Sequence, residues 1–250
     1  AEYASAKSNL TINLGDGKTN GSASGGTDVG TDVLIAIEEA CGGSGNDKIT
    51  GRSDTASQLE GGAGSDTLTG GGFNDTLLGG TGDDNLIGGD GNDTLNGDDG
   101  SDTLYAGNGD DTVNAGNGDD LIIGGDGAGN DRYDGGAGID TVKYTSAKAA
   151  ITVDLSNGSA TSTAGNDAAG IGTDVLSNIE NVIAGNYNDT IIGSSSNNVL
   201  DGQAGTDKLT GLAGADTFLF STKPIFGLAT ADHVTDFKAS EGDKIQINKT

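Results

Sequence analysis

The chain has one cysteine, one proline, one histidine and neither methionine nor tryptophan among its 250 residues. The single thiol, Cys41, excludes an intramolecular disulfide and reads as a small buried apolar residue beside a turn. With His233 as the sole histidine there is no Cys/His set for zinc, no H-E-x-x-H and no triad. A nucleophile elbow of the form G-x-S-x-G is also missing. No apolar run approaches the ~18 residues that cross a bilayer. Ala1 to Leu10 lack the basic-then-apolar order of a signal peptide. The absent initiator Met points to a segment of a longer chain.

Positive charge is scarce: 12 Lys and Arg stand against 38 Asp and Glu, a formal net charge of -26. That balance excludes nucleic acid and anionic membrane surfaces as partners, and it calls for a cation. Leu, Ile, Val and Phe together make up just under a fifth of the chain. At this charge such a composition belongs to disordered chains, so an ordinary globular core is not expected. The 47 glycines show no strict three-residue period, which rules out collagen.

Order lies in a period of nine. Gly42-Gly43-Ser44-Gly45-Asn46-Asp47-Lys48-Ile49-Thr50 recurs closely from Gly61, Gly79, Gly88 and Gly135, and more loosely from Gly70, Gly97, Ala106 and Ala115. Gly51 to Glu60 is one residue longer, with Ser57 in the acidic slot, and two extra residues precede Asp131. A shorter block starts at Ala184 and continues from Gly193, Gly202 and Gly211, with Asn198 in its second acidic slot. A longer repeat encloses the first. Tyr3-Ala4-Ser5-Ala6-Lys7 matches Tyr144-Thr145-Ser146-Ala147-Lys148, and Gly30-Thr31-Asp32-Val33-Leu34 matches Gly172-Thr173-Asp174-Val175-Leu176. The chain is a tandem duplication of a strand-forming lead-in and a nonapeptide block. The expected segments are a lead-in over 1–41, a first block over 42–143, a second lead-in over 144–183, a second block over 184–219 and a cap over 220–250. Asn157-Gly158 signals a tight turn.

Gly-Gly-x-Gly bends sharply because it reaches positive φ without Cβ strain, and x-hydrophobic-x suits a short strand. If two nonapeptides make one coil, residue i lies over residue i+18 at the ~4.8 Å strand spacing. Ile49, Leu68, Leu77, Leu86, Leu95, Leu104, Val113, Ile122, Tyr133, Val142, Ile191, Leu200, Leu209 and Phe218 then point inward. Asp66, Asp84, Asp102 and Asp120 stack along one edge, and Asp75, Asp93 and Asp111 along the other. Two carboxylates about 4 to 5 Å apart repel by roughly 3 to 4 kcal/mol at an effective dielectric near 20. One large side chain per nine residues does not offset this. A divalent cation between rungs reverses the sign, and a cage of carboxylate and backbone carbonyl oxygens favours Ca2+ over Mg2+.

These nonapeptides resemble the RTX (repeats-in-toxin) family, whose pattern G-G-x-G-x-D-x-U-x is a calcium-binding repeat. The resemblance implies an all-β, right-handed parallel β-roll, a β-solenoid with several calcium ions between its turns. In the family, an ion takes the Asp and the second- and fourth-position carbonyls of one turn. From the next turn it takes the Asp and the first- and third-position carbonyls. Here that implies Gly80, Gly82 and Asp84 with Gly97, Asp99 and Asp102, and Gly89, Gly91 and Asp93 with Ala106, Asn108 and Asp111. The same rule brings in Gly62, Gly64, Gly79, Thr81, Gly88, Asp90, Gly100, Gly107, Gly109, Ala115, Gly116, Asn117 and Gly118. The acidic-slot ligands also include Asp47, Asp66, Asp75, Asp120, Asp131, Asp140, Asp189, Asp207 and Asp216. Ser57 should spoil the site its turn shares with Asp75, and Asn198 should weaken the one shared with Asp216.

The tail, with Phe218-Leu219-Phe220, Asp232-His233-Val234-Thr235-Asp236-Phe237 and Gly242-Asp243-Lys244-Ile245, resembles the cap of RTX exoproteins exported by type I secretion. The resemblance makes Asp232 and Asp236 candidates for a last ion, His233 a surface or capping residue, and the type I secretion apparatus a partner. It implies a secreted or cell-surface protein. One reading is a structural roll of a surface-layer or adhesin-type protein, with self-assembly or cell-surface polysaccharide as its further partner. The other is the export and folding domain of an RTX exoenzyme, a metalloprotease or lipase, or of a toxin. No catalytic residue is assigned. Gly17-Lys18-Thr19 imitates a phosphate loop but has Ile12 where the first loop glycine belongs. Asn74, Asn92 and Asn188 open glycosylation sequons that belong to the repeat itself.

Overall fold

The computed structural model describes residues 1–16, 20–25, 31–124, 127–163, 170–221 and 231–247. Gly17-Lys18-Thr19 and Gly30 lie outside them. The described residues form strands and turns without a helix, arranged as a parallel β-solenoid of two facing sheets. One sheet has 13 strands and the other 12. Successive nonapeptides feed alternate sheets, as with Thr94–Asp99 in one and Thr103–Asn108 in the other.

The register is the one the period of nine requires. Leu95 pairs with Val113 and Leu77 in neighbouring parallel strands, and Leu104 pairs with Ile122 and Leu86. Every residue of the expected apolar stack is buried, from Ile49 at 0 % to Phe218 at 0 % exposure. Alternation carries this, because successive residues of a strand point to opposite faces: in Thr94–Asp99, Leu95 turns inward and Thr94 and Asn96 outward. The extra residues do not break the stack: Ile49 pairs with Leu68, Val113 with Tyr133 and Ile122 with Val142. Leu59, in the longer Gly51 to Glu60 turn, joins the core at 0 % exposure.

Sharp turns depend on glycine where the backbone enters the left-handed region. Gly80 has φ +113 and Gly82 φ +116, and a Cβ on Gly80 would strike the carbonyl oxygen of Gly62 in the coil below. Asp98 occupies the same second position at φ 72, so this turn carries backbone strain that glycine avoids.

Each lead-in is a three-stranded antiparallel meander. In the first unit Thr11–Gly15, Asn20–Ser24 and Thr31–Leu34 pair in order, and in the second Ile151–Asp154, Ser159–Ser162 and Thr173–Ser177 do so. The Asn157-Gly158 turn joins two of these strands, with Gly158 at φ 63 and its amide donating to Leu155 O. The second meander is inserted between the rolls, because Thr173–Ser177 pairs in parallel with Arg132–Ala137 and Ile151–Asp154 with Thr190–Ile192. Cys41 differs from its expected place. It is half-buried within strand Glu39–Ser44, where burial and the nearby Glu60 raise its thiol pKa.

Candidate metal centre

The turns connecting the strands bring the acidic-slot residues into columns, one along each edge of the solenoid. Each member uses one carboxylate oxygen to hold the coil before it: the amide of Asp66 donates to Asp84 Oδ1 at 2.7 Å, Asp84 to Asp102 at 2.7 Å, Asp102 to Asp120 at 2.7 Å and Asp120 to Asp140 at 2.9 Å. On the other edge Ser57 donates to Asp75 at 2.6 Å, Asp75 to Asp93 at 2.8 Å, Asp93 to Asp111 at 2.7 Å and Asp111 to Asp131 at 2.8 Å. Asp47 donates to Asp66, and in the second roll Asp189 donates to Asp207 and Asn198 to Asp216.

The second oxygen is what marks the site. Oδ2 of Asp47, Asp66, Asp75, Asp84, Asp93, Asp102, Asp111, Asp120, Asp140 and Asp207 is buried and accepts no hydrogen bond. A buried unpaired carboxylate oxygen is costly unless a proton or a cation matches it, and ten of them recur along the edges of the two rolls. Backbone oxygens crowd the same places. A Cβ on Gly79 would strike both Asp84 Oδ2 and the Gly97 carbonyl oxygen, one on Gly88 would meet Asp93 Oδ2 and Ala106 O, and one on Gly97 would meet Asp102 Oδ2 and Ala115 O. Oxygens from two coils converge without a donor between them.

The electrostatics follow from that convergence. Burial, less the help of the accepted amide, plus like charges above and below push Asp84, Asp111 and Asp207 up to about 7. Asp66, Asp75, Asp102, Asp140 and Asp189 rise to about 6, with burial the largest cause. Each site thus has an affinity for positive charge that a proton or a metal ion can satisfy. Among the described residues no group of three or more His, Cys, Asp or Glu side chains is placed to hold a metal. What does converge, as beside Gly79, Gly88 and Gly97, is a carboxylate oxygen and a main-chain carbonyl oxygen, both hard donors.

Several acidic-slot positions differ from this pattern. Asp131 Oδ2 accepts the Tyr133 hydroxyl at 2.6 Å, and Asp189 Oδ2 accepts the Gly185 amide at 3.0 Å. Asn198 puts an amide nitrogen where a carboxylate would stand, donating to Glu180 O at 2.7 Å. At the Ser57 turn the Arg52 guanidinium lies 3.0 Å from Asp54 and 3.4 Å from Glu38, neither of them in an acidic slot, and Asp75 Oδ2 stays unpaired. In the cap, Asp232 Oδ1 accepts the Asp207 amide at 2.9 Å and so extends one column. Asp236 spends both oxygens on the amides of Gly211 and Leu212.

Sequence reasoning missed Asp174, Glu180 and Asp243, which continue the columns by accepting the amides of Asp131, Asp140 and Asp216. The signal was present for two of them: Asp174-Val175-Leu176 and Asp243-Lys244-Ile245 repeat the Asp-x-apolar step of the nonapeptide. A further outer ladder also went unread. The Asn74 side chain accepts the Asn92 amide, and Asn92 accepts that of Asp110, so these sequon residues hold neighbouring coils together.

A solenoid of nonapeptide coils, edged by columns of buried carboxylates, defines a repeat protein of the β-roll class. The RTX calcium-binding nonapeptide repeat matches residues 42–55, 60–95, 96–128, 105–142 and 183–218, just over half of the chain. The chain belongs to the RTX family of calcium-binding repeats. No curated protein matches it.

Proposed function

We propose that this chain is the calcium-loaded β-roll region of a larger protein exported by type I secretion, with a structural role of surface-layer or adhesin type and no catalytic site of its own. The ten orphaned Oδ2 atoms carry this reading, because their arrangement destabilises the roll until cations occupy the edges. Asp84 with Gly80 and Gly82, facing Gly97, Asp99 and Asp102, would hold one ion, and Asp93 with Gly89 and Gly91, facing Ala106, Asn108 and Asp111, the next. When bound, calcium supplies charge neutralisation and joins consecutive coils through oxygen ligands. The chain's own contribution is the amide-to-Oδ1 ladder, which fixes each carboxylate so that its second oxygen faces the neighbouring coil.

An ion that binds only the folded roll stabilises it by mass action. Extracellular modules of this kind bind calcium at about 10⁻⁴ to 10⁻³ M, so the chain is unfolded in a calcium-poor cytoplasm and rolls up outside the cell. Titrating Ca2+ into chelated protein while following far-UV circular dichroism tests this reading. A full strand spectrum before any calcium is added overturns it. Electron microscopy with calcium tests the assembly role, two-dimensional arrays being the expected result. The cap favours the second reading, an export and folding domain, because its strands His233–Val234 and Lys244–Ile247 close both sheets at one end. A protease, lipase or toxin domain elsewhere in the parent reading frame would decide for it.

A further inference from the structure

The duplication exposes in the first unit a surface that the second unit covers. Tyr144 donates to Asp174 Oδ2 at 2.8 Å, and Tyr3 donates to Asp32 Oδ2 at the same 2.8 Å. The backbone around the pair repeats as well: the Tyr144 amide donates to Ile183 O and the Tyr3 amide to Cys41 O, while Ala147 closes on Tyr144 O as Ala6 closes on Tyr3 O. Their surroundings differ. Asp174 is 0 % exposed, whereas Asp32 is exposed.

What buries the second pair is the last coil of the first roll. Val175 donates to Asp131 O at 2.8 Å, Asp131 to Asp174 Oδ1 at 3.1 Å, Thr173 to Asn130 Oδ1 at 3.0 Å and Asn178 Nδ2 to Asp134 Oδ1 at 2.7 Å. The companion strand Thr141–Lys143 lies parallel to Asn181–Ile183. In the first unit Thr31–Leu34 ends its sheet among the described residues; Val33 is 67 % exposed against 48 % for its counterpart Val175, and Ile35, the counterpart of Ser177, is 66 % exposed. Of the companion strand only the final rung is present among the described residues. Glu2 forms a parallel bridge to Cys41 at the place where Lys143 meets Ile183.

We infer that the edge formed by Thr31–Leu34, the Tyr3–Asp32 pair and the start of Glu39–Ser44 is a docking site for the last coil of another RTX roll, joined through the Tyr3 lead-in as the first roll is joined through Tyr144. The internal joint supplies both the geometry and the chemistry of the occupant. It is a coil whose Asp carbonyl receives the Val33 amide, whose Asp amide is received by Asp32, and whose second strand runs into Glu2. An unpaired strand edge of this kind is a template for strand addition, and here the register is already set. The inference goes beyond the calcium reading, since it concerns how rolls join end to end.

The test is an extended chain in which residues 1–143 are placed before Tyr3, so that Lys143 runs into Tyr3 as it runs into Tyr144. Calcium stoichiometry reports whether the added roll is loaded, and amide exchange by mass spectrometry reports on the edge. The expected result is a rise in bound calcium together with slowing of the Val33 amide by about tenfold or more. An extended chain that gains its calcium while Val33 exchanges at the original rate overturns the docking site and leaves the calcium reading intact. Should the added roll take up no ions, the unextended chain still decides: at low concentration Val33 is expected to exchange at least ~100-fold faster than Val175. Equal protection overturns the inference, as does protection of Val33 that grows with concentration, which would make a second copy the occupant.

Discussion

The Tyr133 hydroxyl donates to Asp131 Oδ2 across 2.6 Å, filling in one rung the position that is left without a partner along most of the column. Tyr144 does the same for Asp174 one coil further on, so the junction between the rolls is closed by two buried phenols. Burial raises both phenols well above their ordinary pKa, which keeps them protonated donors. The junction is therefore held by hydrogen bonds, whereas most rungs of the first roll leave the second carboxylate oxygen unpaired. Tyr133→Phe should cost about 1–3 kcal/mol with calcium present, the cost of leaving a buried acceptor unpaired. Chemical denaturation at saturating calcium measures it, and an unchanged midpoint would show that this bond carries no weight.

The raised carboxylates set the pH dependence of the metal-free chain. Asp84, Asp111 and Asp207 move from 3.8 to about 7, and five further acidic-slot residues to about 6. Between those values and 3.8 the folded roll holds protons that the unfolded chain has released, so its stability falls as pH rises. That contribution is complete below about 4 and is lost as pH passes through 6 to 7. In chelator, strand content by circular dichroism should be higher at about pH 5 than at about pH 8. Calcium competes with the same protons, so its affinity should weaken as pH falls through that range. Strand content that rises with pH in chelator would contradict the burial of unpaired carboxylates.

The thin core makes single apolar residues decisive. Leu104 is 0 % exposed, lies between Leu86 and Ile122 in adjacent coils, and is the one large apolar side chain of its nonapeptide that is fully buried, the neighbouring Tyr105 being only half-buried. Leu104→Ala should lower stability by about 2–5 kcal/mol in calcium, as large-to-small changes in packed cores do. Thermal unfolding at fixed calcium reads this, and a loss below about 1 kcal/mol would mean that the solenoid wall collapses onto the gap.

Most of the solenoid was legible because a period of nine imposes a stacking rule that needs no tertiary knowledge. The match of Leu95 to Val113 and the Asp84-to-Asp102 contact both follow from an offset of two repeats. What stayed hidden breaks that period. Glu180 follows a meander whose length is set by antiparallel pairing, so no nine-residue count reaches it. Arg52 sits in a second-position slot where glycine is the rule, so the repeat gives no hint of its contacts with Asp54 and Glu38. Tyr133 read as a core residue, and it is one, at 0 % exposure. Its hydroxyl role shows only once the ring's tip is placed beside Asp131.

Asp84 offers the most direct test of ion placement, since its Oδ2 converges with Gly97 O while its Oδ1 holds the Asp66 amide. Asp84→Ala should reduce calcium stoichiometry and raise the calcium concentration needed for folding. Asp84→Asn keeps the amide-accepting oxygen and separates the two roles: it should retain the ladder bond yet still reduce calcium binding. Full stoichiometry in both variants, measured by equilibrium dialysis, would remove the ion from this rung.

Asn198 gives the reverse experiment. Its amide nitrogen donates to Glu180 O at 2.7 Å and its Oδ1 accepts the Ser194 amide at 2.7 Å, so this rung is neutral and internally satisfied. Asn198→Asp replaces the donor by an oxygen facing the Glu180 carbonyl, and in chelator the repulsion and the lost hydrogen bond should cost about 1–3 kcal/mol. With calcium, an ion taken up at this rung would offset much of that loss, because the new carboxylate meets carbonyl oxygens as Asp84 does. Chemical denaturation of the variant with and without calcium measures both losses, and their difference is the informative quantity. An equal loss in the two conditions would show that this position cannot be converted into an ion site and that carboxylate identity alone does not define one.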